Sequence, residues 1–141
     1  MIPLVYRFIL YPARQLYWKI FKPNTKGVKV FIQYKNEILL IKNTYGKRHL
    51  WTIPGGGVKK DESLSLAAKR EVKEEVGIKL RELKKVGTYQ DKKDTKNIFK
   101  SIVNNKNIKI DRNEIAAAEW FNIKSLPKEQ TTTLQNILKF L

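Results

Sequence analysis

Apolar and polar positions along the chain change rhythm several times, and each change predicts an element. In residues 1–23, Leu16, Tyr17, Ile20 and Phe21 fall on one helical face, and Pro23 ends the segment. Residues 27–32 (GVKVFI) and 38–42 (ILLIK) read as strands joined by a turn at 35–37. A polar loop at 44–49 (TYGKRH) leads to a short strand at 50–53, which Pro54 stops. Gly55, Gly56 and Gly57 follow. Leu64, Ala68, Val72 and Val76 then recur every four residues and predict the buried stripe of a helix. Asp61 or Ser63 is its expected N-cap and Gly77 its expected C-cap.

After this helix, residues 78–83, 86–89 and 98–103 are strand-like, with a charged loop at 90–97 (QDKKDTKN). A turn at 104–107 and a further short strand at 108–110 come next. Residues 114–118 lead into a strand at 119–121. Leu134, Ile137, Leu138 and Leu141 share one face of a closing helix. No internal repeat or low-complexity stretch interrupts this order. Residues 24–141 therefore read as one domain, with 1–23 a basic amphipathic segment outside it.

Composition removes several chemistries. The chain has 141 residues, 42% of them hydrophobic, enough for a real core. It has no cysteine, which rules out disulfides, thiolate zinc sites and cysteine nucleophiles and fits a reducing, cytoplasmic setting. The single histidine, His49, argues against histidine-built metal sites. A metal site here has to use carboxylates, which favours Mg²⁺ or Mn²⁺ over Zn²⁺.

The formal charge of +16 favours polyanionic partners, although scattered lysines also describe an ordinary solvated surface. Arg7, Arg14 and Lys19 break residues 1–23 well short of the roughly 20 apolar residues of a membrane span. That segment reads either as a helix packed on the domain or on a partner subunit of a homodimer, or as an interfacial helix. In the second case Tyr6, Phe8, Tyr11, Tyr17 and Trp18 would lie on an anionic membrane.

The predicted helix after the glycines breaks a local rule. Glu71, Glu74 and Glu75 stand at i, i+3 and i+4, where like charges each cost roughly 0.2–0.5 kcal/mol. Glu74 and Glu75 also occupy the last turn, where the helix dipole disfavours anions. A hard cation is the natural remedy. The alternative is a solvated face, with Arg70 pairing Glu74 and Lys79 reaching Glu75.

Gly56, Glu62, Arg70, Glu71, Val72, Glu74, Glu75, Gly77 and Ile78 together resemble the Nudix box, with no departure from its pattern. TIPGGG before the box and residues 118–127 (AEWFNIKSLP) are also similar to Nudix domains. The resemblance implies an α+β (mixed α/β) fold: a three-layer α/β/α sandwich with a mixed β-sheet, here with an added N-terminal amphipathic helix. It implies Mg²⁺-dependent hydrolysis of a small, nucleotide-like diphosphate, usually a nucleoside diphosphate linked to X, by water attack on phosphorus. Glu74 and Glu75 are implied metal ligands, Glu71 a ligand or the general base, and the Gly55 carbonyl a further ligand. Arg70 is expected to orient a carboxylate. Glu62 is expected to fix the loop, and Gly56 and Gly57 to allow a tight turn and close approach. Glu114 is a candidate to complete the metal shell, with Glu119 as its competitor.

Lys47, Arg48, His49, Lys59 and Lys60 are candidates for contacting substrate phosphates, or else a solvated basic loop. Trp51 and Trp120 read as core aromatics in preference to base-stacking platforms. Two further functions remain open at this point. The charge motivates an RNA 5′-end pyrophosphohydrolase. A non-catalytic nucleotide-binding regulatory module is the other, and the intact glutamates argue against it.

Overall fold

The computed structural model describes residues 25–141, so the segment 1–23 with its expected helix lies outside the described residues. The chain forms β1 (Thr25–Tyr34), β2 (Glu37–Asn43), β3 (Gly55–Gly57), α1 (Leu64–Val76), β4 (Lys84–Asp91), β5 (Asp94–Ile102), β6 (Ile115–Asn122) and α2 (Thr132–Ile137). A 3₁₀ turn, Leu138–Phe140, closes it. The strands make one mixed sheet in the order β4-β5-β1-β2-β6, with β3 also pairing to β1. β1 and β5 run parallel, and the other pairs are antiparallel.

Alternation along the central strands makes two cores. Val28, Val30 and Ile32 of β1 pack with Ala67, Ala68, Val72 and Val76 of α1. Phe31, Ile38, Leu40 and Ile98 face the other way, against Leu134 and Ile137 of α2. The result is the expected layering, with α1 on one side of the sheet and α2 on the other. Ser63 caps α1 through its side chain, and Gly77 ends it in the left-handed region at φ 72°. Among the described residues, no helix is long and apolar enough to cross a membrane.

Four local expectations need correction. Residues 90–97 are not a charged loop. β4 and β5 continue to Asp91 and Asp94 around a tight turn, with Lys92 at φ 54° and Thr95 Oγ1 donating to Gln90 Oε1 at 2.7 Å. Residues 50–53 make only single bridges, Thr52 to Ile41 and Trp51 to Gln130. Residues 78–83 and 108–110 form no strand. Their apolar side chains fill the α1 core, and the Lys109 and Asp111 amides bond to the Val76 and Glu75 carbonyls at the end of α1. Conversely, the glycines at 55–57 form a strand that no apolar pattern announces.

Candidate active site

β3 and α1 bring the box residues together. Gly55 pairs with Lys29, Gly56 with Val28 and Gly57 with Gly27, so the glycine strand lies along β1 and leaves its far side to α1. A Cβ on Gly56 would stand 2.4 Å from the Glu71 carboxyl carbon, so only glycine lets that carboxylate lie against the strand. Glu75, only 3% exposed, accepts a 2.8 Å hydrogen bond from the Gly55 amide.

Arg70 ties the loop to the helix. Its Nε and Nη2 donate to the two oxygens of Glu62 at 2.8 and 2.9 Å. Nη1 reaches Glu71 Oε1 at 2.8 Å and Glu74 Oε2 at 3.4 Å, and Nη2 also donates to the Gly57 carbonyl at 2.9 Å. Glu62 further accepts from the Lys59 amide at 3.0 Å. The fork of one guanidinium thus spans the box loop and the glutamate face.

Electrostatics divide these acids. The hydrogen bonds from Arg70, then that from the Lys59 amide, pull Glu62 down to about 2. The hydrogen bonds to Glu62, and then to Glu71, hold Arg70 above its ordinary value. Burial pushes Glu71 up, against the pull of Arg70. Burial also pushes Glu75 up, against the attraction of Lys29 and the Gly55 hydrogen bond, and Glu71 and Glu114 add repulsion. Lys29 is lowered by its own burial, offset in part by Glu75.

The structure therefore gathers Glu62, Arg70, Glu71, Glu74, Glu75, Gly55, Gly56 and Gly57 at one place. Glu114 is near enough to act on the charge of Glu75, whereas Glu119 is exposed on β6 opposite Leu40. Glu74 is the open member of the face, its side chain 52% exposed. Among the described residues, no three acids converge closely enough to hold a metal as they stand. Glu71 is bonded to Arg70, and Glu75 to the Gly55 amide.

Lys47, Arg48 and His49 are exposed in the 44–50 loop, and Lys59 and Lys60 are exposed in the box loop. The ion pairs described at the cluster are those of Arg70. Trp51 packs edge-on to Phe121 at 5.0 Å in the α2-side core. Trp120 meets Tyr34 edge-on, and its indole donates to the Lys106 carbonyl at 3.2 Å. A separate cleft of about 490 Å³ lies past the C-terminal end of α1, between Gly77–Glu82 and the end of β5, and contains none of the box glutamates.

Sequence reasoning missed Lys29 and Lys96. Lys29 occupies a central strand between two buried valines and belongs electrostatically to the glutamate cluster. The available signal was a lysine inside the otherwise apolar strand GVKVFI.

Such a fold, with a complete box folded into one site, defines a phosphoanhydride-cleaving class, and comparison with known proteins gives the same result. Residues 23–140 match the NUDIX domain model. The chain is 33% identical over 106 residues to a Bacillus subtilis (strain 168) protein named "Putative 8-oxo-dGTP diphosphatase", covering 73% of this chain and 70% of that one. Among solved structures, a MutT NUDIX hydrolase from Burkholderia pseudomallei superposes with a TM-score of 0.75 at 23% identity, covering 83% of this chain and 97% of that one. The NUDIX domain of Shewanella oneidensis NrtR, solved with ADP ribose, gives 0.71 at 16% identity, covering 86% and 88%. The chain belongs to the Nudix family and is a hydrolase of phosphoric anhydride bonds.

Proposed function

We propose that this protein is a Mg²⁺-dependent pyrophosphohydrolase of a nucleoside diphosphate linked to a further group, or of a related small diphosphate. The observation that carries the reading is the pair of desolvated carboxylates, Glu71 and Glu75, set against the glycine strand with Glu74 open beside them. Their donor set fits the ion: hard carboxylate and carbonyl oxygens, with no thiolate or imidazole among them. When bound, Mg²⁺ would neutralise phosphate oxygens and lower the pKa of water.

Glu74, Glu75 and the Gly55 carbonyl would hold the ion, with Glu114 as a further oxygen donor beside Glu75. Glu71 holds the attacking water and takes its proton, a task suited to a carboxylate whose pKa burial has raised. Arg70 sets the orientation of Glu71 through its 2.8 Å bond, and through Glu62 it fixes the loop over which the diphosphate lies. Lys47, Arg48 and Lys59, exposed in their loops, would contact the phosphate oxygens.

The named activity of the Bacillus subtilis relative and the ADP ribose in the Shewanella domain both fall within this substrate class. The test is a Mg²⁺ panel of nucleoside triphosphates, ADP ribose and 5′-triphosphorylated RNA, with phosphate-containing products read directly. Turnover that EDTA abolishes is the expected result. No cleavage across the panel would overturn the proposal, and RNA outperforming every free nucleotide would replace it with the RNA-end reading.

A further inference from the structure

The turn that carries Glu114 is fastened at both ends. At one end it meets α1. The Lys109 amide donates to the Val76 carbonyl at 2.8 Å, and the Asp111 amide to the Glu75 carbonyl at 3.0 Å. Gly77 permits this approach, since a Cβ there would stand 2.9 Å from the Lys109 carbonyl oxygen. The turn then closes on itself. Glu114 and Ile115 donate their amides to the Asp111 carbonyl at 3.1 and 2.8 Å, and the Asn113 amide donates to the Asp111 carboxylate at 3.0 Å. The backbone of Glu114 is thereby held beside the last turn of α1, which carries Glu74 and Glu75.

At the other end the turn meets Thr44, just past β2. The Thr44 amide donates to the Glu114 carbonyl at 2.9 Å. Its hydroxyl lies 2.8 Å from the Asn113 carbonyl and 3.2 Å from the Glu114 carbonyl, a donor shared between the two. The register of β2 and β6 shifts at this place: Lys42 pairs with Ala117 but Asn43 with Ile115, so Ala116 is an extra residue. Such bulges bend a strand and re-aim what adjoins it. The side-chain oxygen of Asn43 is also buried, with no hydrogen-bond partner among the described residues. An open buried acceptor opposes folding, so the end of β2 is not arranged for stability alone.

We propose that Thr44 is a positioning residue: its hydroxyl holds the Glu114 turn in the place where Glu114 and Glu75 share one divalent cation. The inference rests on the metal-dependent reading above and extends the ion site beyond the box to the end of β2. Thr44 does not touch the ion. It acts through the Asn113 and Glu114 carbonyls.

The test is Mn²⁺ binding to the full chain, read from the paramagnetic resonance of free Mn²⁺, with no substrate and no turnover. Thr44→Ala is expected to weaken binding about tenfold, the lower end for groups that hold a metal ligand in place. Thr44→Ser, which keeps the donor, should bind as wild type. Thr44→Val, which keeps the shape without the donor, should lose the same factor and serves as the second variant if Thr44→Ala does not fold. Glu114→Gln should weaken binding by itself. Adding Thr44→Ala to it should cost nothing further, since the hydroxyl acts through that carboxylate.

A threonine that only supports the fold would lower Tm in EDTA and leave Mn²⁺ affinity alone. Unchanged affinity in the folded Thr44 variants, an equal loss with and without Glu114, or wild-type affinity in Glu114→Gln would overturn the positioning role, whatever the substrate panel shows. Mn²⁺ binding that depends on Thr44 and Glu114, with no hydrolysis anywhere in that panel, would overturn the hydrolytic reading and leave the positioning role standing.

Discussion

Glu62 and Glu75 are the same side chain in two regions of one site, and the structure moves their protons in opposite directions. Glu62 sits in the loop, meets the Arg70 fork in two hydrogen bonds and is held down to about 2. Glu75 sits on the buried side of α1 with a backbone amide as its direct hydrogen-bond partner, and burial pushes it up. The loop carboxylate has already found its cation inside the protein. The helix carboxylate has been desolvated without full compensation, which leaves it suited to an incoming one. The balance between burial and the pull of Arg70 decides which way each glutamate is displaced.

The contrast is sharpest when Glu75 loses its charge. Glu75→Gln should reduce kcat at least about 100-fold, since even groups that only support a metal ligand are worth 10–100-fold. The same variant should unfold in EDTA at a temperature equal to or above wild type, because a buried charge has been replaced by a neutral isostere. Steady-state kinetics and thermal unfolding of one preparation check both halves. A variant that is both active and destabilised would show that Glu75 holds the fold together and not a cation.

Gly56→Ala tests the space between the two regions. The added methyl would enter the position of the Glu71 carboxylate while leaving Arg70 and Glu62 their bonds. Activity should fall about tenfold or more, in line with misplacement of a catalytic group by an ångström or less. Thermal stability should change little if Glu71 swings outward, a move its partial burial permits. Full activity would mean that Glu71 needs no contact with the glycine strand.

The elements that carry this contrast were legible in the chain, and the contrast itself was not, for a physical reason. The four-residue apolar spacing gave α1, and the glutamate spacing gave its charged face. Strand alternation gave both cores. The fork from Arg70 to Glu62 was expected only as loop fixing, because separation along the chain does not reveal a two-bond geometry. Depth was the hidden quantity: Glu71, Glu74 and Glu75 are equivalent by spacing, yet only Glu75 is almost fully buried and Glu74 is open. Gly55–Gly57 escaped notice as a strand because pairing with β1 comes from backbone alone. Residues 78–83 misled in the opposite way, since Ile78 and Leu80 alternate like a strand while simply filling the core beside α1.

The smallest effect separates the two carboxylates by pH. The folded-state pKa of Glu62 lies below its ordinary 4.5, so its contribution to stability is fully present above about 4.5 and is lost as pH falls toward 2. Glu75 is displaced the other way, so in EDTA it favours the fold at low pH and works against it as pH rises past the ordinary carboxylate range. If Glu75 holds Mg²⁺ as proposed, the ion stabilises only where Glu75 has lost its proton, so the Mg²⁺-induced rise in Tm should grow from pH 5 to pH 8, since metal and proton compete for the same oxygens. Glu62→Gln should flatten the acid limb of the Tm-against-pH curve and leave that Mg²⁺ increment in place. Glu75→Gln should do the reverse. If both variants alter the same limb, the two glutamates act as one cluster and the division drawn by Arg70 does not hold.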